Sequence, residues 1–376
     1  MAQQPASNGL APESRKPVTQ LIDRFLKERR DLATKTKDDY TATLTLLDQI
    51  LKSKPIGEID KNDIVAFKDT LLLLPRNYRI VFKTDDAIRA IRLNNQAKKP
   101  TLTAHTINVK YLSNLRTFFG WAEANNLIAN NPATKVSVKD GKRVKASEQR
   151  DPFTVDELQK LFTSPLYMGC RSDGIVSKPG AHLVADHHYW APLIGLFTGA
   201  RLNEIGQLEL ADIVQHNNCW HFRITEETGE TEPDKKLKTQ AAKRDIPVHP
   251  ALEELGFLDY VASLRKQGKT RLFPDWQKGG DGFYSSPMSK WFSRLLRDLG
   301  IKRGKISFHS FRHTYKDALL AAGIAEKTQD KVMGHANDSV QGRYGSSGLL
   351  ETESAAIREI DFPGFMINHP RRDWPS

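Results

Sequence analysis

At 376 residues the chain exceeds what one ordinary hydrophobic core organises, and two domains with tails are expected. Its two cysteines, Cys170 and Cys219, exclude a disulfide framework and an all-cysteine zinc site. The start, MAQQPASNGLAPESRKP, has no apolar leader region, and no later stretch reaches the roughly 18 apolar residues of a membrane span, so a soluble, cytoplasmic protein is expected.

Net charge is +11 with a pI near 9.4, and its distribution is uneven. Residues 1–150 hold 27 Lys and Arg against 16 Asp and Glu, whereas residues 151–376 hold 29 of each. A polyanion is the natural partner of the basic part, because Lys and Arg that neutralise phosphates release condensed counterions. The candidate contacts are Arg76, Arg79, Lys83, Lys98, Lys99, Lys110 and Arg116, in a stretch whose only acids are Asp85 and Asp86. Membrane surfaces and acidic proteins attract the same charge, so charge alone does not choose among them.

In chain order, TQLIDRFLKERR carries Leu21, Ile22, Phe25 and Leu26 at helical spacing. TKTKDDYTATLTLLDQILKS aligns Tyr40, Leu44, Leu47 and Leu51, and DKNDIVAFKDTLLLL is a third helix ending before Pro75. A basic, poorly periodic stretch follows. Next comes a long amphipathic helix, TAHTINVKYLSNLRTFFGWAEANN, with Ile107, Tyr111, Leu112, Leu115, Phe118, Phe119 and Ala122 on its apolar side. Residues 17–130 are thus expected to form a small helical domain. Residues 131–150 lose periodicity and carry Lys142, Arg143 and Lys145, reading as a basic interdomain linker that adds to the candidate polyanion contacts.

The second domain, 151–376, opens with FTVDEL, where Thr154 and Glu157 form a capping-box signature. Residues 164–190, rich in Gly and Ser, read as an insertion loop. HHYWAPLIGLFTG and RLNEIGQLEL read as two helices broken at Gly199. Sheet is expected only in WHFRITEE, KLKT and RDIPVH. Helices resume at PMSKWFSRLLRDLG, SFRHTYKDALLAAG and AEKTQDKVMG, each closed by a glycine suited to the left-handed cap. The fold class is therefore mainly α with a small antiparallel β-sheet.

Four separated segments carry residues suited to a phosphodiester. Arg201 follows a glycine turn at a helix start, where backbone N–H groups also point outward. His309 and Arg312 stand three apart on one helical face, within reach of one pair of oxygens. Lys238 lies at a hairpin in the strand region, and GHANDSVQGRYG supplies His335 and Tyr344. Each taken alone also fits an ordinary surface role.

Together, in order and spacing, TGARLNEIGQL, KTQAAKRDIP, HSFRHT and the GH that precedes Tyr344 by nine residues resemble the tyrosine recombinase (phage integrase) family. The resemblance implies a SAM-like core-DNA-binding domain in the N-terminal helices and a catalytic domain from about residue 151. It implies a catalytic set of Arg201, Lys238, His309, Arg312 and His335 with Tyr344 as nucleophile, and Glu204 as a buttress. Phe311, Met333 and Ala242 depart from residues frequent in the family, and none of them removes a group that the reaction needs.

The two guanidinium groups suit the non-bridging oxygens of the scissile phosphate, the histidines suit proton handling, and Lys238 suits protonation of the leaving 5′ oxygen. A 3′-phosphotyrosine link conserves the bond energy, so no cofactor is expected. Nor is a metal: no GxxxxGK[ST] loop, HExxH or acidic cluster of the metal-nuclease kind occurs. His182, His187 and His188 have no Cys or carboxylate beside them at a recognised ligand spacing. The resemblance further implies double-stranded DNA attachment sites, a homotetramer on two sites, a directionality or DNA-bending accessory protein, and a nucleoid-associated location. The short segment before Pro17 points to recognition of core sites only. Dimer resolution, relaxation of the topoisomerase IB kind and non-catalytic DNA binding are the alternatives.

Overall fold

A computed structural model describes residues 10–30, 32–139, 151–227, 235, 237, 242–335 and 349–367. The chain divides into two compact units, Met1–Arg143 and Val144–Ser376.

In the first unit, Thr34–Ile50 and Lys61–Leu73 are helices because their apolar residues recur at helical spacing, and Asp60 starts the second by accepting the Asp63 N–H at 2.9 Å. The long helix runs from Ala104 to Ala124 and widens to i→i+5 bonding over Ile107–Leu112. Asn108, within that wide turn, clasps Val138 through both its N–H and its carbonyl, at 2.9 and 2.8 Å. Phe25, Leu44, Leu47, Phe67, Leu71, Phe118 and Phe119 fill the core, with Phe25 edge-on to Tyr40 and Phe118 at 5.1 and 5.3 Å.

The stretch expected to be aperiodic contains two helices, Tyr78–Val81 and Ala87–Ala97. The second buries only Ala87, Ala90 and Asn94 and exposes Ile88 and Leu93, so it has a small-residue contact face where an apolar stripe would have revealed it.

The second unit is built around His187–Thr198, in which every residue from Tyr189 to Thr198 is buried. This helix packs against Ser310–Ala321 and ends at Gly199, whose φ of +60° suits the left-handed cap. A Cβ at Gly199 would lie 2.6 Å from Cδ1 of Tyr315. The Thr154–Glu157 capping box is formed, with bonds of 2.9 and 3.2 Å.

Residues 164–190 are more ordered than a loop: after a short helix, Pro165–Met168, strands β1 (Cys170–Ser172) and β2 (Ile175–Pro179) make an antiparallel hairpin. The main sheet runs β3–β4–β5 (Ile213–His216, Cys219–Ile224, Arg244–Pro247), all antiparallel, with Ile224 opposite Arg244. Ser285–Asp298, Ser310–Ala321 and Glu326–Met333 are the expected helices. Observed and expected fold class agree: mainly helical with small antiparallel sheets. The tail helix Glu351–Arg358 and the residues after it pack within the same unit, burying Ile357, Ile360 and Phe362, and the helix pairs Glu353 with Lys331 at 3.0 Å and Arg358 with Glu253 at 2.9 Å.

Candidate active site

Arg201 stands at the N-cap of Leu202–Gly206, two residues beyond the Gly199 turn. Its backbone N–H donates to Glu204 Oε2 at 2.9 Å and its Nη1 to Oε1 at 2.7 Å, so one carboxylate fixes both the chain and the guanidinium. Arg244, the first residue of β5, reaches the same carboxylate from the other side, Nη2 to Oε2 at 2.8 Å. Burial would raise the Glu204 pKa, but Arg244 and Arg201 overcome it and hold this carboxyl below its usual value.

Arg312 extends from Ser310–Ala321 and donates to the Gly199 carbonyl at 2.8 Å, to the Met333 carbonyl, and to His335 Nε2 at 2.9 Å. A guanidinium only donates, so Nε2 of His335 is an acceptor and the ring proton sits on Nδ1, which faces Asp330 Oδ1 at 3.4 Å. Burial and the Arg312 charge lower the His335 pKa against the pull of Asp330, which favours the neutral imidazole. Arg312 is itself lowered to about 9 by burial and by the charges of Arg201 and Arg244. Three guanidinium groups around one carboxylate leave a local charge near +2, preorganised for an anion that gains charge in its transition state. His309 occupies the N-cap of the Arg312 helix with its ring 5.2 Å from that of His313.

Residues 186–348 match the family model described as phage integrase family. The chain thus carries a domain of the phage integrase family. It is thereby a tyrosine-type site-specific recombinase. Among solved structures, an integrase fragment of the Tn1549 transposon (residues 82–397) in complex with a circular intermediate DNA is 20% identical, covering 90% of this chain and 97% of that one with a TM-score of 0.57. A lambda integrase fragment (residues 75–356), a dimer bound to a COC′ core site, is 16% identical over 86% of this chain and 96% of that one, with a TM-score of 0.51. These likenesses concern the fold. No curated protein sequence matches the chain.

Of the site expected from the sequence of this integrase, the structure gathers Arg201, Glu204, Arg312 and His335, with His309 one helical turn before Arg312. Lys238 and Tyr344 lie outside the described residues, as do Lys142, Arg143 and Lys145. Arg244 joins the cluster without having been expected there. It stands in an alternating strand pattern, where a charged residue ordinarily faces solvent, yet its side chain is 3% exposed. Its place in the KTQAAKRDIP segment, shortly after Lys238, is the one signal the sequence offers.

Among the candidate DNA contacts, Arg76, Arg79, Lys83, Lys98 and Lys99 are exposed. Arg79 pairs with Asp85 at 3.0 Å, and Arg76 Nε donates to the Thr101 carbonyl at 2.9 Å. Lys110 and Arg116 are half-buried: Lys110 pairs with Asp39 at 2.5 Å, and Arg116 donates to the Val136 carbonyl at 2.7 Å. The histidines considered as ligands separate. His182 bonds Asp173 at 2.6 Å, while His187 and His188 gather with Asp186, the carboxylate that directly precedes them in the chain. Asp186 caps Tyr189's helix by accepting the His188 N–H at 2.8 Å and also bonds His188 Nδ1 at 3.0 Å.

Proposed function

We propose that this integrase cuts and rejoins double-stranded DNA at specific sites through a 3′-phosphotyrosine link formed by Tyr344, for integration or excision of a mobile element. The observation that carries the reading is the Arg201–Glu204 and Arg312–His335 cluster in a chain that carries a phage integrase family domain. In this reading Tyr344 Oη attacks the scissile phosphorus, the bond to the 5′ oxygen breaks, and the tyrosine proton passes to a base. Lys238 gives a proton to the departing 5′ oxygen. Arg201 and Arg312 hold the non-bridging oxygens as charge grows on them. His335, neutral and bonded to Arg312 through Nε2, steadies that guanidinium at the phosphate, and His309 stands ready on the Arg312 helix.

The first unit serves as the core-DNA-binding domain through Arg76, Arg79, Lys83, Lys98 and Lys99, and the linker adds Lys142, Arg143 and Lys145. A homotetramer on two DNA sites, with a directionality or DNA-bending partner, is the working assembly. The Tn1549 and lambda integrases similar to this chain were solved bound to DNA, which supports a DNA partner. The test begins with duplexes selected by the protein from a randomised pool. Two such sites on one plasmid are expected to yield deletion or inversion through a four-way junction. Relaxation of a supercoiled plasmid without exchange would instead favour a relaxing enzyme.

A further inference from the structure

We propose that Arg244 is a positioning residue that holds the two phosphate-binding arginines in register. The inference rests on the reading of Arg201 and Arg312 above and adds a residue that need not touch DNA. Arg244 directs its donors three ways. Nη2 meets Glu204 Oε2 at 2.8 Å, on the carboxylate that fixes Arg201. Nε meets the Val332 carbonyl at 2.7 Å, one residue before the Met333 carbonyl that receives Arg312 and three before His335, which also bonds Arg312. Nη1 meets the Ala242 carbonyl at 2.6 Å, where the chain returns from the segment that contains Lys238.

One planar group therefore ties the buttress of the first arginine to the turn that shapes the second. Gly334 makes the closure feasible: it takes a φ of +62°, and a Cβ there would lie 2.9 Å from Arg244 Nη1 and 3.1 Å from Ala242 Cα. A lysine would carry the charge but has no planar fork to meet three acceptors in fixed directions. Stability alone gives little reason for this residue, because a buried ion pair is often replaceable by apolar side chains, and here a third cation lies close to two others.

The test compares strand cleavage at the mapped scissile position in two linkages, the natural phosphate and a methylphosphonate. The methyl group removes the negative charge that the two arginines neutralise. If Arg244 acts by aligning them, Arg244→Lys and Arg244→Gln cleave the phosphate about 100-fold more slowly than wild type. Cleavage at the neutral linkage stays near the wild-type rate. Equal loss on both linkages would overturn the proposal. The ratio of the two rates does not depend on the fraction of enzyme folded, and Glu204→Gln tests the same connection from its other end. Arg201→Lys is the control. If its defect is not relieved on the neutral linkage, the clamp reading itself fails. If it is relieved and the Arg244 variants are not, only the Arg244 proposal fails.

Discussion

Arg312 is tightly specified by its surroundings, with the Gly199 and Met333 carbonyls and His335 Nε2 taking three of its five N–H groups. Arg312→Lys keeps the charge and loses the fork. Single-turnover cleavage is expected to fall about 10²–10³-fold, with binding to the same duplex retained in a gel-shift titration. His187 gives a second prediction at this scale. Its ring stacks on Trp276 at 4.8 Å, lies 4.0 Å from His188, and has Asp186 Oδ2 3.6 Å from Nδ1. Burial, then His188 and Arg271, outweigh Asp186 and lower its pKa to about 4 from an ordinary 6.5. The folded state therefore prefers the neutral ring. The stability so gained, roughly 3 kcal/mol at most, is complete above pH 6.5 and lost as pH falls toward 4. Thermal denaturation should show this loss in wild type and a flatter profile in His187→Phe, and identical profiles would refute the assignment.

Among the elements, the turn before β3 is held by a buried triad with Lys235. Lys235 Nζ lies 2.8 Å from Asp212 Oδ2 and 3.1 Å from Glu209 Oε2, with all three side chains at most 7% exposed. Asp212 also accepts the Glu209 N–H at 2.8 Å, which closes the turn Leu210–Asp212 before β3. Lys235→Met would leave two buried carboxylates without their cation. A loss of about 3–5 kcal/mol is expected in urea denaturation, and a loss within about 0.5 kcal/mol of zero would contradict the triad's importance.

Elements with strong stripes or glycine caps were legible in the sequence, as Thr34–Ile50 and Ser310–Ala321 show. Ala87–Ala97 was not, because it buries alanines and an asparagine, and β1–β2 was hidden by a glycine-rich composition that suits loops equally well. The site was legible where chemistry follows local spacing, as in His309 and Arg312. Arg244 and Glu204 meet across 40 positions, and the packing that joins them has no local pattern.

For the whole molecule, the excess charge lies in residues 1–150, while residues 151–376 balance. Binding should therefore draw its salt dependence from the first unit. Removing Arg76, Arg79 and Lys83 together should weaken binding to all duplexes and lower the slope of log K against log salt by about one for each phosphate left without its cation. An unchanged slope would place the phosphate-binding residues elsewhere. The assignment as a whole turns on Tyr344. Its most direct test uses a selected duplex, nicked so that the 5′ fragment diffuses away after cleavage, incubated with wild type and with Tyr344→Phe and run on a denaturing protein gel. An SDS-resistant protein–DNA adduct is predicted with wild type alone. An adduct that persists in Tyr344→Phe, or binding by both proteins with no adduct from either, would contradict it.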